Sequence, residues 1–385
     1  MTELRVVRTR GDGMTRGMQI GGELADLIQR SVDFYHRYLE RRGVSSTTLQ
    51  DLLTPHLVAA ENAFPESVAV LKGMSMGAMV PILELFAINA FEELEPLLES
   101  PEGSLLFLQK KEGYTSPPPP KSAGPADPPA QQRCSSLTVA LPGTTLLAHN
   151  EHWLAGDLGN VAVVIDVPES GRVAVASPTV VCCLPAVGMN AHGGAQGIGS
   201  LTASDDRVGV PRVLVSRSSL EARDREDAIG RASVEGRAGG YGHVYAFRGG
   251  DTFVVETSAT EHRVQYDAHV HTNHYLDGAL AAMAPPPSEG STARFDRLTE
   301  LLDEASPRHA RGRDGDPARP RIEPAGDLPA SRSGRGRRGV GRALLHDRRR
   351  GGGEDVGCGR QPVRGGVLRD RPPRIWCTLT RYRRP

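Results

Sequence analysis

The first third of the chain carries apolar residues at the three- and four-residue spacing of amphipathic helices. In the first such run the apolar face comprises Leu24, Ile28, Val32, Tyr35 and Leu39. A proline at position 65 suits the first turn of a helix, whereas the glycines and methionines of 73–77 interrupt the pattern. The spacing predicts four helices, over 23–40, 47–64, 65–72 and 81–98, the last with an acidic, exposed face.

From residue 134 onwards the period shortens to two, which is the alternation of half-buried strands. Proline, glycine and serine at 142–143, 169–171 and 249–251 predict turns between them. The pattern predicts strands over 136–141, 144–149, 161–167, 172–176, 243–248, 252–257, 262–266 and 269–273, and helices over 211–222, 225–235 and 291–304. Hairpins that follow one another, with helices grouped between them, favour an α+β fold over a repeated β-α-β unit.

Two segments are not predicted to pack. Residues 114–133 form a linker rich in proline, serine and alanine. Residues 308–385 hold 21 arginines and no lysine, without any apolar period. One interpretation of this tail is a basic disordered segment for an acidic partner; the preferred hypothesis is a shifted reading frame in a GC-rich gene. The chain thus divides into a helical region (1–113), the linker, a mixed region (134–306) and the tail (307–385).

Composition narrows the class of protein. The 385 residues include 46 basic and 46 acidic side chains, so no global field favours nucleic acid or an anionic membrane. The first residues lack the apolar core of a secretory signal, and no apolar run is long enough to span a bilayer. These observations favour a cytoplasmic protein. The five cysteines follow neither a disulfide nor a zinc spacing and are expected to be free thiols: Cys134, Cys182, Cys183, Cys358 and Cys377.

Cys134 has the position that a self-processing hydrolase needs. It stands at the first position of a predicted strand, directly after the linker, and Ser135 and Ser136 follow it. A break of the backbone before Cys134 would give one residue both a nucleophilic sulfur and a basic α-amine. A lone cysteine is more often a buried structural thiol, so its place at the border between linker and sheet is what favours the catalytic interpretation.

Several motifs resemble one known family. They are 134–136 (Cys-Ser-Ser), 143–150 (Gly-Thr-Thr-Leu-Leu-Ala-His-Asn) with Trp153, 187–193 (Val-Gly-Met-Asn-Ala-His-Gly), 271–276 (His-Thr-Asn-His-Tyr-Leu), and the early 13–21 (Gly-Met-Thr-Arg-Gly-Met-Gln-Ile-Gly). In order and spacing they resemble the acyl-CoA:6-aminopenicillanate acyltransferase family, peptidase family C45 of the N-terminal nucleophile (Ntn) hydrolases. The resemblance covers roughly residues 10–305.

The resemblance implies a four-layer αββα sandwich preceded by a helical propeptide that stays bound after cleavage. It implies an autocatalytic break between Arg133 and Cys134, and an amidase or acyltransferase that acts on a small N-acyl substrate through a thioester on Cys134. Asn273 is the implied oxyanion donor, while Ser136, Asn150, His152 and Asn190 would shape the site. No metal or nucleotide cofactor is needed, although an acyl-CoA can serve as co-substrate; nucleic acid and membrane partners are not expected.

The chain departs from the family pattern at two positions. His152 stands where the family often has an aspartate that would orient the terminal amine, and Arg133 replaces a common glycine. Glu151 could substitute as the carboxylate, although strand alternation is expected to point it to the other face. Both departures put the rate of processing and the substrate class in question.

Other interpretations stay open. His269 and His271 share a strand face and lie near His274, but no carboxylate or cysteine at suitable spacing completes a zinc site. The glycine-rich 193–199 segment superficially resembles a dinucleotide loop, yet it lacks the following helix and acidic partner, and a tight bend near the cleft is favoured. The aberrant tail raises the alternative of a catalytically inactive, poorly folded product. A cysteine hydrolase that acts without self-cleavage is a third alternative.

Overall fold

A computed structural model describes residues 4–99, 134–141, 144–169, 171–266, 268–305, 340–342 and 374–380. Its helices are α1 (Gly13–Glu23), α2 (Ala25–Glu40), α3 (Ser46–Ala63), α4 (Pro65–Ala78), α5 (Ile82–Asn89), α6 (Phe91–Glu99), α7 (Arg212–Ser219), α8 (Arg225–Ala232), α9 (Gly278–Ala281) and α10 (Glu289–Ala305). Polar caps set two of the starts, because Asp12 accepts a hydrogen bond from the Thr15 N–H and Ser45 from the Thr48 N–H.

The strands form two sheets. They are β1 (Arg5–Gly11), β2 (Ser135–Leu141), β3 (Thr144–Glu151), β4 (Val161–Pro168), β5 (Val175–Val180), β6 (Gly188–Asn190), β7 (Gly194–Leu201), β8 (Gly240–Phe247), β9 (Thr252–Thr257), β10 (His262–Gln265), β11 (Val270–His271), β12 (Val340–Arg342) and β13 (Arg374–Thr380). The larger sheet has the order β1-β4-β5-β6-β7-β8-β9-β10, and the smaller has the order β11-β2-β3-β13-β12. The α+β class is therefore confirmed.

The two sheets face one another. Leu147 of β3 packs in a buried cluster with Ala195, Val244, Ala246 and Val254 of the larger sheet. A larger core cluster joins the helices α2 to α7 to β4 and to the end of β5. On the other side of the molecule α10 contacts β11 and β2. No helix in the described part of the chain is long and apolar enough to cross a membrane.

The helical region contributes one strand to the larger sheet and packs against it. Its first strand, β1, was not predicted from the pattern, and it pairs in parallel with β4 from Arg5↔Ala162 to Gly11↔Pro168. Buried charges strengthen this junction: Arg16 of α1 and Arg217 of α7 both donate to Asp166 of β4. A break in the linker would leave these contacts in place.

Glycine decides how α1 and α4 pack. The predicted interruption at 73–77 is wrong, because α4 continues to Ala78. Gly17 and Gly73 lie at the crossing, where a Cβ on Gly17 would stand 2.0 Å from the Val70 carbonyl oxygen, and one on Gly73 would stand 2.2 Å from that of Met14. The glycines therefore permit close contact between two backbones instead of ending a helix.

Other predicted elements are shifted or divided. The predicted helix over 81–98 is two helices, α5 and α6. The strand predicted over 172–176 lies at Val175–Val180. The glycine-rich 193–199 segment is not a tight bend, because β7 begins at Gly194 and runs through the middle of the larger sheet. Glycine fits there because a Cβ on Gly197 would stand 2.8 Å from the Ser136 hydroxyl of the facing sheet.

The two segments predicted not to pack lie mostly outside the described residues. None of the linker 114–133 is described. Within the tail 307–385 two short strands are described, and β13 pairs in parallel with β3, from Arg374↔Leu146 to Leu379↔Glu151, and antiparallel with β12. The hypothesis of a shifted reading frame stays a prediction.

Candidate active site

Cys134 lies immediately before β2 at the edge of a cavity. Its side chain is 6% exposed. The cavity measures about 590 Å³, with its open mouth included. Most of its wall is aromatic or aliphatic: Tyr35, Ile88, Phe91, Trp153, Leu154, Ile198 and Val213. The polar side chains around it are Glu92, Glu95, Cys134, Glu151, His152 and Ser200. An apolar cavity with a few polar groups beside a thiol can hold a small organic substrate.

The register of β2 and β3 places Glu151 on the same face as Cys134. Ser136 pairs with His149 and Ser135 with Asn150, so Glu151 stands opposite Cys134 one step further along the ladder. Side chains two residues apart on a strand share a face. The expectation that Glu151 points to the other face is therefore wrong. His152 follows the end of β3 and also lines the cavity.

The Cys134 thiol is protonated at neutral pH in this environment. Burial, together with the charges of Glu151 and Glu92, raises the pKa of Cys134 to about 12. The backbone N–H of His152, which donates a hydrogen bond to the sulfur, and the Arg294 guanidinium oppose that rise. Reaction at this sulfur therefore requires a group that accepts its proton.

Two carboxyl groups of the cavity titrate near neutrality. Burial, together with the charge of Glu92, raises the pKa of Glu151 to about 7. Burial also raises the pKa of Glu92 to about 7, against the opposing charge of Arg212. One oxygen of Glu92 accepts hydrogen bonds from the hydroxyls of Ser200 and Tyr241, both at 2.9 Å.

Arg294 connects Cys134 to Asn273. Its guanidinium donates to the carbonyl oxygen of Cys134, to the hydroxyl of Ser135 at 2.8 Å and to Oδ1 of Asn273 at 3.0 Å. Because Oδ1 is held by Arg294, the amide nitrogen of Asn273 is directed to the carbonyl oxygen of Ser200 at 3.3 Å. Ser200 lines the cavity. Asn273 itself does not line the cavity, so its role as an oxyanion donor stays a prediction.

Ser136 is bonded within the interface between the two sheets. Its hydroxyl lies 2.9 Å from Nδ1 of His149, and both side chains are buried. Burial lowers the pKa of His149 to about 4, so the ring is neutral at physiological pH. Ser136 lies on the same strand face as Cys134, although it does not line the cavity. A role in shaping the site through His149 stays a prediction.

Asn150 and Asn190 are not brought to the cavity. Asn150 is exposed on β3, between two residues that face the other way. Asn190 is buried at the end of β6, where its amide nitrogen donates to the carbonyl oxygens of Leu220 and Ala222, both at 2.8 Å. Its oxygen accepts from the Gly194 N–H at 3.0 Å. These bonds hold a turn against α7. Arg133 lies outside the described residues.

The three histidines of the 269–274 segment have separate partners. His271 pairs with Glu256 at 2.9 Å in the buried interior. His269 approaches the Thr138 hydroxyl at 3.2 Å, and His274 approaches that of Ser291 at 2.9 Å. Among the residues that the structure describes, no group of three histidine, cysteine or acidic side chains has the geometry of a metal site.

Two functional candidates were not found from the sequence. Glu92 lies on the helical stretch whose acidic face was predicted to be exposed, but its side chain is only 22% exposed, and that of Glu93, paired with Arg212, is 3% exposed. Arg294 lies on a predicted helix, 160 residues from Cys134. The available signal was one arginine near the start of an amphipathic helix, which does not specify the strand it contacts.

Part of the chain matches a known protein family. The family model described as "Acyl-coenzyme A:6-aminopenicillanic acid acyl-transferase" matches residues 139–312. The match includes β3, β7, β8, Asn273 and Arg294, and it starts five residues after Cys134. It confirms the family resemblance that the motifs predict. A search of curated proteins gave no match.

Proposed function

We propose, from the membership of residues 139–312 in the acyl-coenzyme A:6-aminopenicillanic acid acyltransferase family, that this chain is a cysteine N-terminal nucleophile hydrolase. The family match supports hydrolase or acyltransferase activity. The observation that carries the finer proposal is the position of Cys134, before the first strand of the smaller sheet and at the edge of an apolar cavity. Its substrate is a small N-acyl compound.

The layer order supports an αββα sandwich. Helices cover the larger sheet, the two sheets face one another, and α10 packs beside β11 and β2. In this arrangement β2 lies between β11 and β3, and Cys134, immediately before it, lines the cavity.

The reaction begins with self-cleavage between Arg133 and Cys134. The sulfur attacks the preceding carbonyl carbon, the peptide C–N bond breaks, and a thioester forms that water hydrolyses. The new α-amine, with an unperturbed pKa of roughly 7.7–8.0, then accepts the thiol proton in each turnover. A substrate acyl group passes to the sulfur. Water as acceptor gives an amidase, and an amine acceptor gives an acyltransferase; an acyl-CoA can serve as the donor.

The helical fragment stays bound after the break. Tyr35, Phe91 and Glu92 belong to the segment before Cys134, yet they line the same cavity. The strand β1 and the buried Arg16–Asp166 ion pair fix that segment to the larger sheet. Both fragments are therefore needed to complete the substrate cavity.

Intact mass spectrometry of the purified wild type and of Cys134→Ala tests the proposal. We expect two wild-type fragments that meet at Cys134, and a single uncut chain for Cys134→Ala, because alanine has no nucleophile. Equal fragmentation of both proteins would show that another protease makes the cut. A wild-type chain that stays whole on incubation would also contradict the proposal.

A further inference from the structure

The intact chain needs a base that the mature enzyme does not. Before the break the nitrogen of Cys134 is part of a peptide bond, so it cannot accept the thiol proton. The sulfur is buried, and burial keeps it protonated. Some other group at the cavity must therefore take that proton if Cys134 cuts its own chain.

Glu151 has the geometry for this step. The last register pair of β2 and β3 is Ser135 with Asn150, so continuing the ladder by one residue sets Glu151 opposite Cys134. Directly opposed residues of an antiparallel pair have Cβ atoms roughly 4.5–5.5 Å apart. A glutamate side chain spans that distance. Both side chains line the same cavity, which gives the carboxylate access to the sulfur.

The other titratable groups around the cavity are less suited to accept the proton of Cys134. Glu92 comes from α6, and its Oε1 already accepts two hydroxyl protons, from Ser200 and Tyr241. Glu95 lies one turn further along the same helix, and Tyr35 of α2 has its hydroxyl bonded to Asp157 at 2.8 Å. His152 follows the end of β3, outside the β2–β3 ladder, and its contact with the sulfur is made through the backbone N–H, which stabilises a thiolate.

We propose that Glu151 is the general base that activates Cys134 for self-cleavage and that its carboxylate afterwards holds the liberated α-ammonium. This assignment rests on the proposed function. The thiol proton passes to Glu151, and the sulfur attacks the preceding carbonyl carbon. As the C–N bond breaks, Glu151 returns the proton to the leaving nitrogen. Water then hydrolyses the thioester, which regenerates the thiol, so atoms and charges balance.

The same carboxylate serves both stages because the nitrogen and the sulfur belong to one residue. Once the peptide bond is broken, the new α-ammonium lies on the residue opposite Glu151. An ion pair there orients the amine toward its own sulfur. Glu151 thereby supplies, from the neighbouring position, the carboxylate that His152 does not provide.

Cell-free synthesis followed by acid quenching and intact mass spectrometry tests the assignment. The fraction of cut chain is followed against time, between about pH 5 and pH 9. The variants are Glu151→Gln, Glu151→Asp, Asn150→Gln, and the double change Asn150→Glu with Glu151→Gln. The double variant keeps a carboxylate on β3 and moves it to the exposed face.

We expect the wild-type rate to rise with pH through about 7, where Glu151 becomes ionised. Glu151→Gln should slow the break by about a hundredfold or more and remove that rise. Glu151→Asp should keep the rise at a reduced rate, which a merely structural role would not do. Asn150→Gln should match the wild type, and the double variant should be as slow as Glu151→Gln.

Wild-type rate and pH dependence in Glu151→Gln, or recovery in the double variant, would overturn the assignment and leave the proposed function standing. If Glu151→Gln does not fold, the pH dependence of Glu151→Asp decides, because a profile identical to that of the wild type in rate and midpoint contradicts a role as base. Cys134→Ala distinguishes the two proposals: a break that persists there removes the proposed function itself.

Discussion

The sulfur of Cys134 is a poor nucleophile until its surroundings act on it. Burial and two carboxylates hold the pKa of the thiol at about 12, and only the His152 N–H and the Arg294 charge oppose them. A surface cysteine of ordinary pKa would form a thiolate more readily, but it would also react with any oxidant or electrophile. A protonated thiol with a local base instead reacts where the substrate and the base are both present.

Asn273 is the proposed oxyanion donor. If its amide nitrogen stabilises the oxyanion, Asn273→Ala should lower kcat about 10²- to 10³-fold with little change in KM. Asn150→Ala is the matched control, because that amide is exposed on the far face of β3 and should leave kcat unchanged. The measurement is hydrolysis of nitroanilides of acetic, hexanoic and phenylacetic acid by the processed proteins. A kcat within about twofold of the wild type in Asn273→Ala would contradict the assignment.

Motifs single out Cys134 and Asn273 as candidates, but they do not predict the residues that contact them. Both candidates lie in runs that resemble the family, and the structure brings them together through Arg294. Asn190 lies in an equally good motif, yet its amide is fully used in holding a turn. Alternation along a strand shows which of its side chains share a face. Whether Glu151 shares the face of Cys134 depends on which residues of β2 and β3 pair, and the sequence alone did not establish that pairing.

At the scale of elements, the crossing of α1 and α4 determines how the helical region packs. Gly17 and Gly73 bring the two backbones into direct contact, and neither position has room for a methyl group. From the sequence, the glycines of 73–77 were interpreted as a helix break, which is their usual effect in isolation. Tertiary packing reverses that preference, because the contact is available only to a helix without side chains on that face.

Gly17 and Gly22 lie on the same helix, α1, but only Gly17 lies at the crossing with α4. Gly17→Ala should lower the free energy of unfolding by about 1–3 kcal/mol or more, because its Cβ would lie 2.0 Å from a backbone oxygen that cannot move aside. Gly22→Ala lies on the same helix with nothing near its Cβ, and it should be neutral or stabilising by up to about 1 kcal/mol. Urea unfolding followed by circular dichroism measures both. Equal midpoints for the two variants would show that the helices do not pack this closely.

The strands show where the period-two pattern fails. Strands whose residues alternate in burial, such as β3 at Thr144–Glu151, were predicted with the correct start. In contrast, β7 is buried on both faces and contains Gly194, Gly197 and Gly199, so it has neither alternation nor the composition of a typical strand. Gly197 and Gly199 are required because Ser136 and Thr272 occupy the space that their side chains would need.

At the scale of the whole molecule, the helical region and the mixed region share one core. The helix α6 closes the cavity beside Cys134, and the ion pair between Glu93 and Arg212 joins this helix to α7. At the other end, Arg16, Asp166 and Arg217 form a buried group across α1, β4 and α7. Each of these ion pairs is formed by residues other than Cys134. Self-cleavage should therefore leave the fold intact.

Arg16→Met tests how strongly the two fragments are held. Breaking a buried ion pair costs about 3–5 kcal/mol, so the variant fragments should separate at a lower urea concentration than those of the wild type in size-exclusion chromatography. Arg5→Met is the control, since Arg5 pairs with Asp26 at the surface, where solvent screens the attraction between the two charges. A separation midpoint of Arg16→Met equal to that of Arg5→Met would show that this buried pair does not hold the fragments.

Acid should weaken the same junction. Burial alone would raise the pKa of Asp166, but the charges of Arg217 and Arg16 outweigh it and hold that pKa below its usual value. A carboxyl group whose folded pKa is depressed stabilises the complex above its unfolded pKa of about 3.9, and that contribution is lost as the pH falls through the folded value. The wild-type fragments should therefore separate more readily as the pH falls below about 4. Arg16→Met should show a smaller change over that interval, because it has already lost one of the two charges that depress the pKa. An identical acid response of the two proteins would place the acid-sensitive contact elsewhere.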